Sequence, residues 1–159
     1  MSRLPGDGLA VLLVDDSEDD RWLIRHALRE FPKLRVVGEV YDGEEAISYL
    51  SGLGEFGDRQ RHPFPDLMLL DLKMPVRTGY DVLRWLKTSS FERLKVVVVS
   101  GSLLHDDKDQ SLSLGAIGYL HKADLKKELN KLTGHIEHAF GLGYPPSAGD
   151  AFCGSSPAE

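Results

Sequence analysis

Asp15, Asp16 and Asp71, together with Ser100 and Lys122, are the residues of this chain whose types and positions could do chemistry as a group. Each stands where an apolar run ends: the Asp15-Asp16 pair after Leu9 to Val14, Asp71 after Leu67 to Leu70, Ser100 after residues 95–99, and Lys122 after residues 117–121. Carboxylates gathered in one place repel unless a hard cation lies between them. Mg2+ prefers oxygen ligands and keeps several waters that a phosphate can replace. A carboxylate held beside such an ion can also act as a nucleophile and take a phosphoryl group, forming an aspartyl phosphate. That transfer needs positioning and neutralised equatorial oxygens, which a metal, a lysine and a hydroxyl donor supply.

Whether these groups meet depends on the elements that carry them. The uninterrupted apolar runs suit strands buried on both faces. Leu34 to Val40 adds a fifth, partly alternating run, as expected nearer a sheet edge. Between the runs lie segments with helical spacing. Trp22, Leu23, Ala27, Leu28 and Phe31 mark the first, with Ser17 as N-cap and Asp20 placed to reach back in a variant capping box. Ala46, Ile47 and Leu50 mark the second, and Val82, Leu83 and Leu86 the third. Residues 103–114 form a weakly patterned fourth, closed by Gly115, and Leu125, Leu129, Leu132 and Ile136 line a fifth over 124–140. Five strands alternating with five helices predict an α/β fold with a parallel sheet and right-handed crossovers. All strands of a parallel sheet share one carboxyl edge, so Asp15, Asp16, Asp71, Ser100 and Lys122 converge by topology.

The rest of the composition narrows the function classes. The chain has 159 residues, 42% hydrophobic and 28% charged, which fits a globular chain with one core. A net charge of -6 with no basic arm argues against a nucleic-acid partner. No run approaches the roughly 18 apolar residues of a membrane span, and the first eight residues lack a signal-peptide core. The single cysteine, Cys153, fits a reducing compartment, so a cytoplasmic location is expected. No glycine-rich phosphate loop follows the first strand, which argues against a nucleotide site. Residues 51–65 dissolve into Gly, Pro and charge, a loop length that is usually functional or mobile. Residues 1–8 read as an N-terminal extension. Residues 141–159 read as a disordered tail, too short for a helix-turn-helix output module.

Taken singly, each group has a bland reading: helix capping for Asp15 and Asp16, a turn before Met74-Pro75 for Asp71, packing for Tyr119. Jointly they match a pattern. Val14-Asp15-Asp16-Ser17, Leu70-Asp71-Leu72-Lys73-Met74-Pro75 with Gly79, Ser100-Gly101, Gly115-Ala116, and Tyr119 three before Lys122 follow one another in the order of a known family. Over residues 9–140 the chain resembles the receiver domain of two-component response regulators. The resemblance implies a flavodoxin-like (βα)5 three-layer sandwich with sheet order 2-1-3-4-5. It makes Asp71 the phosphoacceptor and a metal ligand. Asp16 would bind Mg2+ directly, Asp15 through a water, and the Lys73 backbone carbonyl would complete the protein ligands. Lys122 and Ser100 would hold the phosphoryl group. Tyr119 would swing inward as Ser100 moves, reshaping the face made by the fourth helix, fifth strand and fifth helix.

The donor the resemblance implies is a histidine kinase, and the output is contact with a downstream protein or phosphotransfer partner. The acidic start of the first helix and the 51–65 loop further resemble stand-alone regulators that serve bacterial phytochrome kinases, which points toward light signalling and a homodimer. One position departs from the pattern. The family usually has proline after the lysine, often with a cis bond, and this chain has Ala123, so a trans bond and an altered hold on Lys122 are expected. Two other classes compete. A phosphohydrolase with an aspartate nucleophile would carry a second Asp where Lys73 stands. An adaptor of receiver shape that works without phosphorylation usually lacks one of the site residues, and here all are kept.

Overall fold

The computed structural model describes residues 8–139. Five strands alternate with five helices: β1 (Leu9–Val14), α1 (Glu18–Leu28), β2 (Leu34–Val40), α2 (Gly43–Ser51), β3 (Leu67–Leu70), α3 (Gly79–Lys87), β4 (Lys95–Ser100), α4 (His105–Ser113), β5 (Gly118–His121) and α5 (Leu125–Ala139). The sheet is parallel throughout, in the order β2-β1-β3-β4-β5. This is the expected flavodoxin-like topology. The chain steps from β1 out to β2 and then back across β1 to β3, and this reversal of winding opens a crevice between the carboxyl ends of β1 and β3.

The apolar runs are continuous because alternate side chains enter two different cores. Leu12, Val14, Met68, Leu70, Val96 and Val98 face α2 and α3 through Ala46, Tyr49, Leu50, Val82 and Leu83. Leu9, Val11, Leu13, Leu67, Leu69, Val97 and Val99 face α1 and α5 through Ile24, Leu28, Leu129, Leu132 and Ile136. Asp66 aligns the strand entrances. Its carboxylate accepts from Ala10 N–H at 2.8 Å, and its carbonyl accepts from Lys95 N–H at 3.0 Å.

The 51–65 loop is folded down against the domain. A 3-10 turn over Gly54–Gly57 sets Phe56 against Tyr49, and the Arg59 guanidinium donates to the carbonyls of Tyr49 and Leu50, closing the end of α2. Helix α4 starts two residues later than expected, because Ser102 Oγ accepts from Leu104 N–H and holds a turn there. The bond before Ala123 is trans, as expected, and a 3-10 turn over Lys122–Asp124 leads into α5. Phe140 and the tail at 141–159 lie outside the described residues.

Val76 is the non-glycine residue with positive φ among the described residues, at 67°. A β-branched side chain there is strained, and at 78% exposure Val76 recovers almost no packing. Val76→Asn, which tolerates that conformation, is expected to raise the unfolding free energy by roughly 1 kcal/mol. Urea denaturation checks this, and an unchanged midpoint would show that the loop is free to leave the left-handed region.

Candidate functional site

The site is assembled by the strand ends. Asp15 N–H donates to Val40 O at 3.1 Å, continuing the β1–β2 ladder, and Asp71 N–H donates to Val14 O at 2.9 Å, continuing β1–β3. The two carboxylates therefore leave adjacent strands side by side. Asp15, Asp16 and Asp71 each place a carboxylate oxygen within 4.8 Å of the other two. Asp15 and Asp71 are buried and Asp16 is exposed, so the cluster opens to solvent on one side. Arg21 fixes the turn after β1. Its Nη1 donates to Asp15 O at 2.6 Å, its Nε donates to Glu39 at 3.2 Å, and its guanidinium lies 4.4 Å from the centre of the Tyr41 ring.

The donor set fits a hard divalent cation. It is all oxygen, three carboxylates converge, and the demands of the protein itself leave capacity unspent. Asp15 Oδ1 accepts from Ser17 N–H at 2.9 Å, whereas the buried Oδ2 makes an ion pair with Lys122 Nζ at 2.7 Å but no well-aligned hydrogen bond. Burial, reinforced by the charge of Asp15, pushes the Asp71 carboxyl up to about 6, against the pull of Lys122 and the Leu72 and Lys73 backbone N–H groups. A carboxylate held in such surroundings is poised to gain from any added positive charge.

Lys122 reaches the site from the end of β5, as expected, but it has a partner that local sequence reasoning assigned elsewhere. Its Nζ lies 2.7 Å from Asp20 Oδ2 as well as from Asp15, and 3.6 Å from Asp71 Oδ2. Burial lowers the Lys122 pKa, but the carboxylates of Asp15, Asp20 and Asp71 outweigh it and hold the ammonium above the ordinary lysine value. Asp20 therefore does not complete a capping box. Ser17 Oγ accepts from Asp20 N–H at 3.2 Å, while the Asp20 carboxylate turns away to Lys122. The available signal was its spacing, four residues after Asp16, which puts both at the N-terminal end of α1.

Ser100 ends β4 with 1% exposure, and its Oγ accepts from Ser102 N–H at 3.1 Å. Tyr119 already points inward: it is buried, and its hydroxyl donates to Ser102 O at 3.1 Å. The Ser102 hydroxyl and the Tyr80 hydroxyl both donate to Asp107. These bonds hold the Asp107 carboxyl below its ordinary range. Burial, followed by the Asp107 contact, raises the Tyr80 phenol. This link ties α3 to α4 beside Ser100 and was not visible in the sequence. Lys73 is exposed, two residues after Asp71.

Comparison with known proteins gives the same answer as the geometry. Residues 11–133 match the response regulator receiver domain. The response regulator Rcp1 of Synechocystis is 34% identical over 128 residues, covering 80% of this chain and 85% of Rcp1. The crystal structure of the phosphorylated cyanobacterial phytochrome response regulator RcpA superposes with a TM-score of 0.69 at 34% identity, over 88% of this chain and 99% of RcpA. The Mn2+-bound form of Rcp1 superposes with a TM-score of 0.67 at 30% identity, over 87% and 99% of the two chains. Other relatives, the nitrate/nitrite regulator NarL of Escherichia coli and a glutamate methylesterase of Methanosarcina mazei among them, are longer, and the chain covers 53% and 33% of these two. With the family match spanning residues 11–133 and the strand order of the sheet agreeing with it, the chain belongs to the response regulator receiver domain family.

Proposed function

We propose that Asp71 is the phosphoacceptor of this receiver and that a histidine kinase is its donor. The observation that carries the reading is the burial of Asp71 beside Asp15, with Lys122 Nζ 3.6 Å away, at the carboxyl edge of the sheet. An Asp71 oxygen attacks phosphorus, the phosphorus–nitrogen bond of the donor breaks, and the imidazole leaves. Asp15, Asp16, Asp71 and the Lys73 carbonyl would hold Mg2+, which supplies charge neutralisation at the phosphoryl oxygens. Lys122 and the Ser100 hydroxyl orient and stabilise the same oxygens. Tyr119, one strand over, couples the state of Ser100 to the face of α4, β5 and α5, where Leu112 and Ile117 are partly exposed. That face is the surface for a downstream protein, a phosphotransfer partner or a second copy of the chain. Similarity to RcpA and Rcp1 supports a phytochrome-type kinase as the donor, and the cytoplasm as the setting.

Intact-protein mass after incubation with a small phosphodonor tests the reading. One phosphoryl group is expected on the parent with Mg2+ present, and none without Mg2+ or in Asp71→Asn. Absence of any addition to the parent would favour an adaptor that works without phosphorylation.

A further inference from the structure

We propose that Asp20 is a positioning residue for Lys122: it holds the ammonium on the α1 side of the site and opposes its transfer to a phosphoryl group on Asp71. The inference rests on Asp71 being the acceptor. Lys122 Nζ sits 2.7 Å from both Asp15 Oδ2 and Asp20 Oδ2, while its 3.6 Å separation from Asp71 Oδ2 is too long for a hydrogen bond. An ammonium bonded to two carboxylates keeps a third donor, but Nζ must shift from its present seat to bring that donor within reach of Asp71, and the shift lengthens its contact with one of the two. Asp15 is 1% exposed and its Oδ2 has no other partner, so leaving it would strand a buried charge. The Asp20 side chain is 33% exposed and can be rehydrated. Asp20 is therefore the partner that Lys122 leaves.

Charge reinforces the competition. Four carboxylates, those of Asp15, Asp16, Asp20 and Asp71, share one lysine, and a phosphoryl group adds more negative charge. Neutralising Asp20 removes both a competitor for the ammonium and one of the repelling charges. Neutralising the exposed Asp19, in the same helical turn, removes an equal charge that has no contact with Lys122 among those described.

Beryllofluoride, a phosphoryl mimic that needs no turnover, provides the test on the full chain with Mg2+ present. Its affinity, followed by fluorine NMR, is expected to rise about threefold to tenfold in Asp20→Asn, the range for a partly solvated ion pair. Asp20→Glu, which keeps the charge, should stay near the parent, and Asp19→Asn should change affinity by less than about twofold. Unchanged or weaker binding in Asp20→Asn overturns the proposal. So does an equal gain in Asp19→Asn, since the effect would then be general charge. A parent that neither binds beryllofluoride nor takes a phosphoryl group would remove the reading of Asp71 itself. A parent that does both, with Asp20→Asn unaltered, removes only the role of Asp20.

Discussion

Gly79→Ala is expected to destabilise the domain by about 3 kcal/mol and to slow phosphorylation of Asp71 by tenfold or more. The cause is space, where the start of α3 is pressed against the backbone of Asp71 and Leu72. A Cβ at Gly79 would lie 2.3 Å from Asp71 O and 2.8 Å from Leu72 Cα. Both are main-chain atoms, so no side-chain rotation relieves the clash. Gly79 N–H also donates to Leu72 O at 2.9 Å, which pins the two segments at that separation. The Thr78–Asp81 capping box fixes the start of the helix and removes the easy escape of unwinding its first turn. Either α3 backs away and opens the core around Val82 and Leu83, or the strand end moves and takes Asp71 with it. Urea unfolding reads the first consequence, and the initial rate of phosphoryl uptake reads the second. A variant with parental stability would show that α3 can slide along the sheet without cost.

What the sequence made legible, and what it hid, divides along one line. Strands buried on both faces announce themselves as unbroken apolar runs, and a parallel sheet then forces their terminal groups onto one edge. This is why Asp15, Asp71, Ser100 and Lys122 could be brought together from composition and order alone. Asp20 escaped because Glu18, Asp19 and Asp20 share the same local reason to stand in a first helical turn, and only the position of Lys122, 102 residues away, separates one from the others. The order of the 51–65 loop was hidden for a similar reason. Its order comes from Arg59 reaching the carbonyls at the end of α2 and from Phe56 and Tyr49 packing together, contacts with no periodic signature. The start of α4 was misplaced because a serine side chain, and not helical propensity, holds the residues before it. Local chemistry was readable; tertiary choice among equivalent local options was not.

Asp71→Asn should be more stable than the parent by about 2 kcal/mol at pH 7.5 without Mg2+, although it removes the proposed phosphoacceptor. Burial, with help from Asp15, raises the Asp71 carboxyl to about 6 from the usual 3.8, so the folded state prefers this group protonated. Its contribution to stability is therefore fully present below about pH 4 and is lost as pH rises through about 6. A shift of this size corresponds to roughly 3 kcal/mol at 1.36 kcal/mol per unit, reduced here because the crevice is open to water beside Asp16. Asparagine carries no charge at any of these pH values and escapes the penalty. Lys122 keeps Asp15 and Asp20 as partners in the variant, so no charge is stranded by the change. The gap between variant and parent should shrink by about half at pH 5, as the parent begins to protonate, and approach zero near pH 4. Adding Mg2+ should raise the parent midpoint by mass action and leave the variant nearly unmoved, closing the gap from the other side. Urea titrations at the two pH values, with and without Mg2+, separate these effects. Equal stability at pH 7.5 without Mg2+ would mean that Lys122, even at 3.6 Å, already neutralises Asp71, and the site would then have no electrostatic reason to welcome a cation.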